Sequence, residues 1–113
     1  MKLTQLTLVV GAIALAFGAM APAHAVDADA AAAMFKKNQC TKCHAVDKDK
    51  KGPGLKKIAA KYKGKADGVD KVTKSMTTGP KVKLDDGSEE EHKVIDSKDA
   101  KELKNLADWI LAQ

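Results

Sequence analysis

The chain has 113 residues, of which 44% are hydrophobic, only 4% aromatic and 31% charged, with two cysteines and a formal charge of +5. That length limits it to one small domain. All 20 basic residues are lysine, and with no arginine and few aromatic rings for stacking, nucleic-acid binding is excluded as an expectation.

Residues 1–25 read as a cleaved secretory signal peptide. Lys2 supplies a positive n-region, Leu6 to Ala21 is apolar, and Ala23-His24-Ala25 gives the small-x-small pattern of a cleavage site. The apolar stretch is short and ends in small residues, which argues against a retained membrane anchor. The expected product is a soluble, exported, periplasmic domain over residues 26–113, monomeric and without stable membrane insertion. Removing the leader takes one lysine and Phe17 with it but none of the 15 acids. A domain near this size buries only about 60–65% of its unfolded surface. With one Trp, one Tyr and Phe35 left, something other than side chains must fill its interior.

Residues 28–39 predict the first helix, Ala-rich, with Met34 and Phe35 on its buried side. Asp27 or Asp29 is placed to cap it, and Lys36 and Lys37 suit its C-terminal dipole. Directly after it comes Cys40-Thr41-Lys42-Cys43-His44, the C-x-x-C-H of covalent haem attachment. Two intervening residues let both sulfurs reach the two vinyl groups on one porphyrin edge, and His44 then supplies the proximal axial imidazole. A redox dithiol would follow a strand in a thioredoxin-like βαβ pattern, and here a helix precedes the motif. A structural zinc site would need four ligands, and after the leader His92 is the only histidine besides His44.

The charged run Asp47-Lys-Asp-Lys-Lys51 ends in Gly52-Pro53-Gly54 and predicts a turn. Leu55, Ile58, Ala59 and Tyr62 fall at i, i+3, i+4 and i+7 of a short amphipathic helix stopped by Gly64. Ala66 to Thr77 predicts a third helix with Val69, Val72 and Met76 on one stripe, ended by Gly79-Pro80. Lys81 to Lys93 has no helical period and contains Asp85-Asp86-Gly87, so it reads as a loop or short hairpin. The last helix is predicted from an N-cap at Ser97 to Ala112, with Leu103, Leu106, Ala107 and Ile110 as its core stripe and Trp109 beside them.

The order of the Phe35 helix, Cys40-Thr-Lys-Cys-His44, Lys51-Gly-Pro-Gly-Leu55, Ile58-Ala-Ala-Lys-Tyr62 and Leu106-Ala-Asp-Trp-Ile-Leu111 resembles the small monohaem class I cytochromes c of bacteria. The resemblance spans the whole of residues 26–113. It implies an all-α fold: a single small cytochrome c domain of about four helices wrapped around one covalently attached haem c. It further implies that Phe35 and Trp109 meet where the first and last helices cross, and that Pro53 packs against the proximal histidine.

The resemblance also implies a sixth, distal ligand, usually a methionine between the third and last helices. The stretch from Thr78 to Ile95 contains no methionine, and it contains His92. His92 is therefore the expected distal ligand. Met76 is the alternative, although its place on the Val69/Val72 stripe suits a core residue, and an open site is the third possibility. Two imidazoles would give a lower reduction potential than a His/Met pair. His92 binds iron only as the neutral ring, so acid should release it.

The function implied is that of an electron carrier and not an enzyme. Lys36, Lys37, Lys42, Lys48, Lys50, Lys51, Lys56 and Lys57 flank the attachment motif, which suggests a positive surface steering encounter with periplasmic redox proteins that dock through an acidic face. Asp85-Asp86 and Glu89 to Glu91 form an acidic counter-patch. The alternative is a haem-based gas or small-ligand binding or sensing protein with a displaceable distal ligand, for which rapid carbon monoxide binding would be diagnostic.

Overall fold

The computed structural model describes residues 25–113. The predicted signal peptide, apart from Ala25, lies outside the described residues. Within them the elements are α1 (Ala28–Lys37), a single 3-10 turn (Cys40–Lys42), α2 (Leu55–Tyr62), α3 (Gly68–Thr78), β1 (Lys81–Lys83), β2 (Glu89–Glu91) and α4 (Ala100–Leu111). β1 and β2 form an antiparallel hairpin in which Lys81 faces Glu91, Val82 faces Glu90 and Lys83 faces Glu89. Two of its three cross-strand pairs thus join opposite charges, which favours this register. The expected all-α fold is present, with the hairpin as its only sheet among the described residues.

α4 packs against α1, α2 and α3. Its stripe is the one its sequence period requires: Leu106 and Ala107 are fully buried, and Leu103 and Ile110 nearly so. Ala31 in α1 is also buried, and a methyl at that position lets the two helices approach closely. One turn further on, Phe35 meets Trp109 with ring centroids 5.5 Å apart and planes tilted by 59°, the edge-on geometry that aromatic pairs prefer. At the start of α1, Asn105 clamps the chain by accepting from the Asp27 N–H at 2.8 Å and donating to the Asp27 carbonyl at 2.9 Å.

Three helix ends depart from expectation, each for a local reason. α1 stops at Lys37 and not at residue 39, because Gln39 takes a left-handed backbone (φ 59°) and the Asn38 side chain turns back onto the Met34 carbonyl. α3 starts at Gly68 because residues 65–68 close a turn through Gly68 N–H to the Lys65 carbonyl. α4 is capped by Asp99, whose carboxylate accepts from the Lys101 and Glu102 N–H groups, while the expected cap Ser97 instead accepts from the Asp99 N–H and bonds the Glu102 carboxylate. At α1 the choice between Asp27 and Asp29 falls to Asp27, which accepts from the Ala30 N–H.

Candidate functional site

The C-x-x-C-H segment leaves α1 through the left-handed Gln39 and folds into the 3-10 turn, with Cys43 and His44 both donating their N–H to the Cys40 carbonyl at 3.2 and 2.9 Å. The two cysteines are half-buried and unbonded to each other. Burial pushes the Cys40 thiol above its ordinary range. So tight a turn keeps both thiols and the imidazole of His44 at one place in the fold.

Residues 45–54 form a brace for that imidazole. His44 pairs with Asp49 as an isolated antiparallel bridge, and the Gly52 N–H donates to the Cys43 carbonyl at 2.8 Å. The Asp49 carboxylate accepts from the Gly54 N–H and from Lys57, each at 2.8 Å. Gly52 has to be glycine: a Cβ there would lie 2.7 Å from His44 Cε1. The brace ends at Pro53, whose carbonyl oxygen lies 2.6 Å from His44 Nδ1. The expected contact between Pro53 and the histidine is therefore made by the proline's carbonyl. With Nδ1 engaged, Nε2 is the nitrogen left to bind a metal, the arrangement usual for a ligating histidine. Burial lowers the His44 pKa, the Pro53 hydrogen bond opposes this, and nearby His92 adds a lowering contribution. The neutral ring, the metal-binding form, is favoured.

His92 follows β2 directly. Its N–H donates to the Pro80 carbonyl at 2.9 Å, and its own Nδ1 lies 3.0 Å from the Lys93 carbonyl oxygen. The His44 and His92 rings stand with centroids 6.1 Å apart and planes tilted by 46°. An imidazole nitrogen binds a first-row metal at about 2.0–2.1 Å, which sets the metal roughly 3 Å from the ring centroid, so two such rings with one metal between them are separated by about the distance seen.

Beside the histidines lies a cavity of about 670 Å³ whose walls include Phe35, Leu55, Ile58, Val72, Met76 and Ile95 together with Cys40, His44, Pro53 and His92. It is within the size range of cofactor pockets and has their makeup, apolar walls with a few convergent polar groups. A porphyrin suits it: apolar sides for the ring, cysteines at one edge, imidazoles for the metal. Cys43 lines a smaller adjoining opening with Cys40, His44, Pro53 and His92. Met76 is 5% exposed, belongs to the core cluster and also lines the large cavity. All the expected site residues therefore converge on one region.

Two features of the site are not visible in the residue pattern. One is the ion pair Lys51–Glu90, 3.8 Å, which joins the brace under His44 to the hairpin leading to His92. The other is the pairing of the lysines. Lys37 pairs with Asp96, Lys56 with Asp47 and Lys57 with Asp49, so part of the positive flank expected around the motif is compensated, while Lys42 and Lys48 are exposed and form no salt bridge among the described residues. Alternating Asp and Lys in residues 47–51 was the only hint of it.

The family model for cytochrome c matches residues 28–113. Cytochrome c-551 of Pseudomonas denitrificans is 37% identical over 69% of this chain and 90% of its own length. Cytochrome c-552 of Nitrosomonas europaea is 37% identical over 74% of this chain and 79% of its own length. Among solved structures, the class 1 cytochrome MtoD from Sideroxydans lithotrophicus ES-1 superposes with a TM-score of 0.75 at 53% identity, covering 78% of this chain and 97% of that one. A match of this extent, to a turn built for covalent attachment beside a porphyrin-sized apolar cavity, makes the chain a member of the cytochrome c family, carrying a covalent c-type haem for electron transfer.

Proposed function

We propose that the protein is a periplasmic one-electron carrier whose haem is bonded to Cys40 and Cys43 and ligated axially by His44 and His92, with Met76 the alternative to His92. The observation that carries this reading is the pair of imidazoles 6.1 Å apart, each with its Nδ1 against a backbone carbonyl. Bound there, the haem supplies an iron couple that gains and loses one electron. The chain does the rest. Pro53 and Lys93 engage Nδ1 of the two rings, which would leave Nε2 of each to bind the iron, and burial favours the neutral form of His44. Phe35, Leu55, Val72 and Ile95 line the cavity with buried apolar side chains, walls that would pack against a bound porphyrin and favour an electron carrier over a site open to exogenous ligands. The loop holding His92 is also fixed at three backbone positions, by Pro80, Met76 and Asn38. That is a poor design for a displaceable ligand.

Partners are redox proteins meeting the haem region through an acidic face, steered by flanking lysines that form no salt bridge among the described residues, Lys42 and Lys48 among them. Among the described residues no helix is long and apolar enough to cross a membrane. Periplasmic location rests on the leader, and the intact mass of the exported protein tests it: the chain should begin at Val26 and carry one haem.

The ferric absorption spectrum tests the ligands. A low-spin spectrum without the weak near-infrared thioether band is expected, and that band would overturn His92 ligation in favour of Met76. In the reduced protein, carbon monoxide should bind slowly at neutral pH. Rapid binding would instead support the gas-binding alternative.

A further inference from the structure

Asn38 is the only buried polar residue among those described, at 4% exposed, and both ends of its amide are used. Nδ2 donates to the Met34 carbonyl at 3.0 Å inside α1, and Oδ1 accepts from the Asp96 N–H at 3.0 Å across 58 positions of sequence. The first bond fixes the side chain to the helix that runs into the haem cysteines. The second fixes the backbone four residues after His92.

We propose that Asn38 is the positioning residue that holds the distal histidine in place, by tying the loop that carries His92 to the end of α1. The proposal rests on the reading of His92 as distal ligand. For His92 to leave its place opposite His44, residues 92–96 must swing outward. On their N-terminal side they follow a hairpin of three residue pairs with Glu89 to Glu91 exposed, held by the His92 N–H on the Pro80 carbonyl at 2.9 Å and by the exposed Lys51–Glu90 pair, and a two-stranded hairpin is a weak anchor. On their C-terminal side they are held by the Ile95 N–H on the Met76 carbonyl at 2.8 Å and by Asn38. The neighbouring pair Lys37–Asp96 spans 3.2 Å but is exposed on both sides, and such pairs contribute little. Asn38 is different because it is buried: an outward swing takes away the partner of its amide oxygen, the costly half of breaking a hydrogen bond.

Cyanide binding to the ferric holoprotein reads this directly, because at saturating cyanide the rate is limited by departure of the distal ligand. Asn38→Leu keeps the number and branching of the side-chain heavy atoms and removes both hydrogen bonds, and Asn38→Ala is the smaller companion should the bulkier Leu variant fold poorly. The limiting rate should rise about threefold to tenfold in either variant, the factor corresponding to one lost hydrogen bond. Asn105→Ala is the control. It removes an asparagine that bridges α4 to Asp27 at the opposite end of α1, so it should lower the melting temperature and leave the limiting rate unchanged.

An unchanged rate in the Asn38 variants, or an equal rise in the Asn105 control, overturns the assignment. Hydrogen exchange in the wild type is a second measurement that needs no variant. The Asp96 amide should be protected and should open at least as fast as the cyanide-limited step, and either slower opening or exchange at the rate of a free amide overturns the proposal. A thioether band in the wild type overturns His92 ligation itself, whatever the Asn38 variants do, so the two failures are distinguishable.

Discussion

His44 and His92 come from segments 48 positions apart, yet each engages a backbone carbonyl through Nδ1, His44 that of Pro53 at 2.6 Å and His92 that of Lys93 at 3.0 Å. The partner on the His44 side is shorter and braced by Asp49 and Gly52, whereas Lys93 is the residue next to His92 and lies in an exposed loop. A hydrogen bond at Nδ1 makes the ligating nitrogen more basic. On the proposed bis-histidine ligation, His92 is therefore the more exchangeable of the two. His92→Met should preserve a low-spin haem, introduce the near-infrared thioether band and raise the reduction potential, the direction set by Met/His ligation. Potentiometric titration of wild type and variant checks it. A potential that stays put or falls would mean that the loop cannot deliver residue 92 to the iron.

Gly52 carries the close approach on the proximal side. A Cβ at this position would sit 2.7 Å from His44 Cε1 and 3.2 Å from its Nδ1, and a ring tied to Pro53 has little room to retreat. Gly52→Ala should cost about 1–3 kcal/mol, the usual range for forcing atoms into a filled site, and should rotate the imidazole away from the Pro53 carbonyl. Denaturant titration measures the first effect and a shift of potential the second. A stability loss without any change in potential would show that the strain is absorbed by the loop and not by the ligand.

The Phe35–Trp109 contact is where the haem-bearing segment is anchored to the rest of the fold, since α1 leads directly into Cys40 and α4 touches the other three helices. Phe35 is buried and also lines the large cavity. Phe35→Ala should cost about 3–5 kcal/mol. Trp109 is only partly buried, so its truncation to Ala should fall at the lower end of that range. Guanidinium unfolding followed by haem absorbance gives both numbers, and a smaller loss for Phe35 than for Trp109 would contradict the burial order.

Much of this site could be read in the residues because covalent attachment imposes a spacing. Cys40, Cys43 and His44 identify themselves, and once the porphyrin is fixed there, a loop without methionine leaves His92 as the polar ligand to consider. α2 could be read to its ends, since its four apolar positions and flanking glycines leave no other register. The ends of α1 and α4 could not, because they are decided by whether Asn38, Ser97 or Asp99 bonds to a helix end or elsewhere, and several polar side chains in a row offer competing caps. Asn38 reads as an ordinary helix-terminating residue until the fold brings Asp96 to it. The pairing of Lys56 with Asp47 and Lys57 with Asp49 is of the same kind: a charged loop gives the charges, and only its fold says which remain free.

Acid should weaken the brace under His44 and the loop after His92 through their carboxylates. Asp49 has its pKa lowered, first by the hydrogen bond from Lys57 and then by the Gly54 N–H, and Asp96 has its pKa lowered by Lys37 and then Asn38. A carboxyl with a depressed folded pKa binds fewer protons folded than unfolded, so its contribution is complete above the unfolded value, about 3.9, and is lost as pH falls through the lower folded value. Stability measured by denaturant titration should therefore decline below about pH 4. Lys57→Gln should flatten that decline, because the Asp49 carboxyl then titrates nearer its unfolded value. If the acid limb is unchanged in the variant, Asp49 is not among the groups responsible.

Charge compensation divides the lysines around the motif into two classes, and this separates steering from mere solubility. Lys42 and Lys48 are exposed and form no salt bridge among the described residues, whereas Lys56 and Lys57 are each held against an aspartate. A partner with an acidic face responds to net local potential, so reversing a free lysine removes attraction outright, while reversing a paired one also frees an aspartate and disrupts the brace. Lys42→Glu and Lys48→Glu should each slow bimolecular electron transfer to an acidic redox protein several-fold at low salt, with no loss of melting temperature. The difference from wild type should shrink as ionic strength rises and the screening length falls to about 8 Å at 0.15 M salt. Stopped-flow rates across a salt series read this. Equal rates for wild type and both variants at low salt would mean that the lysine flank serves solubility and that the partner docks elsewhere.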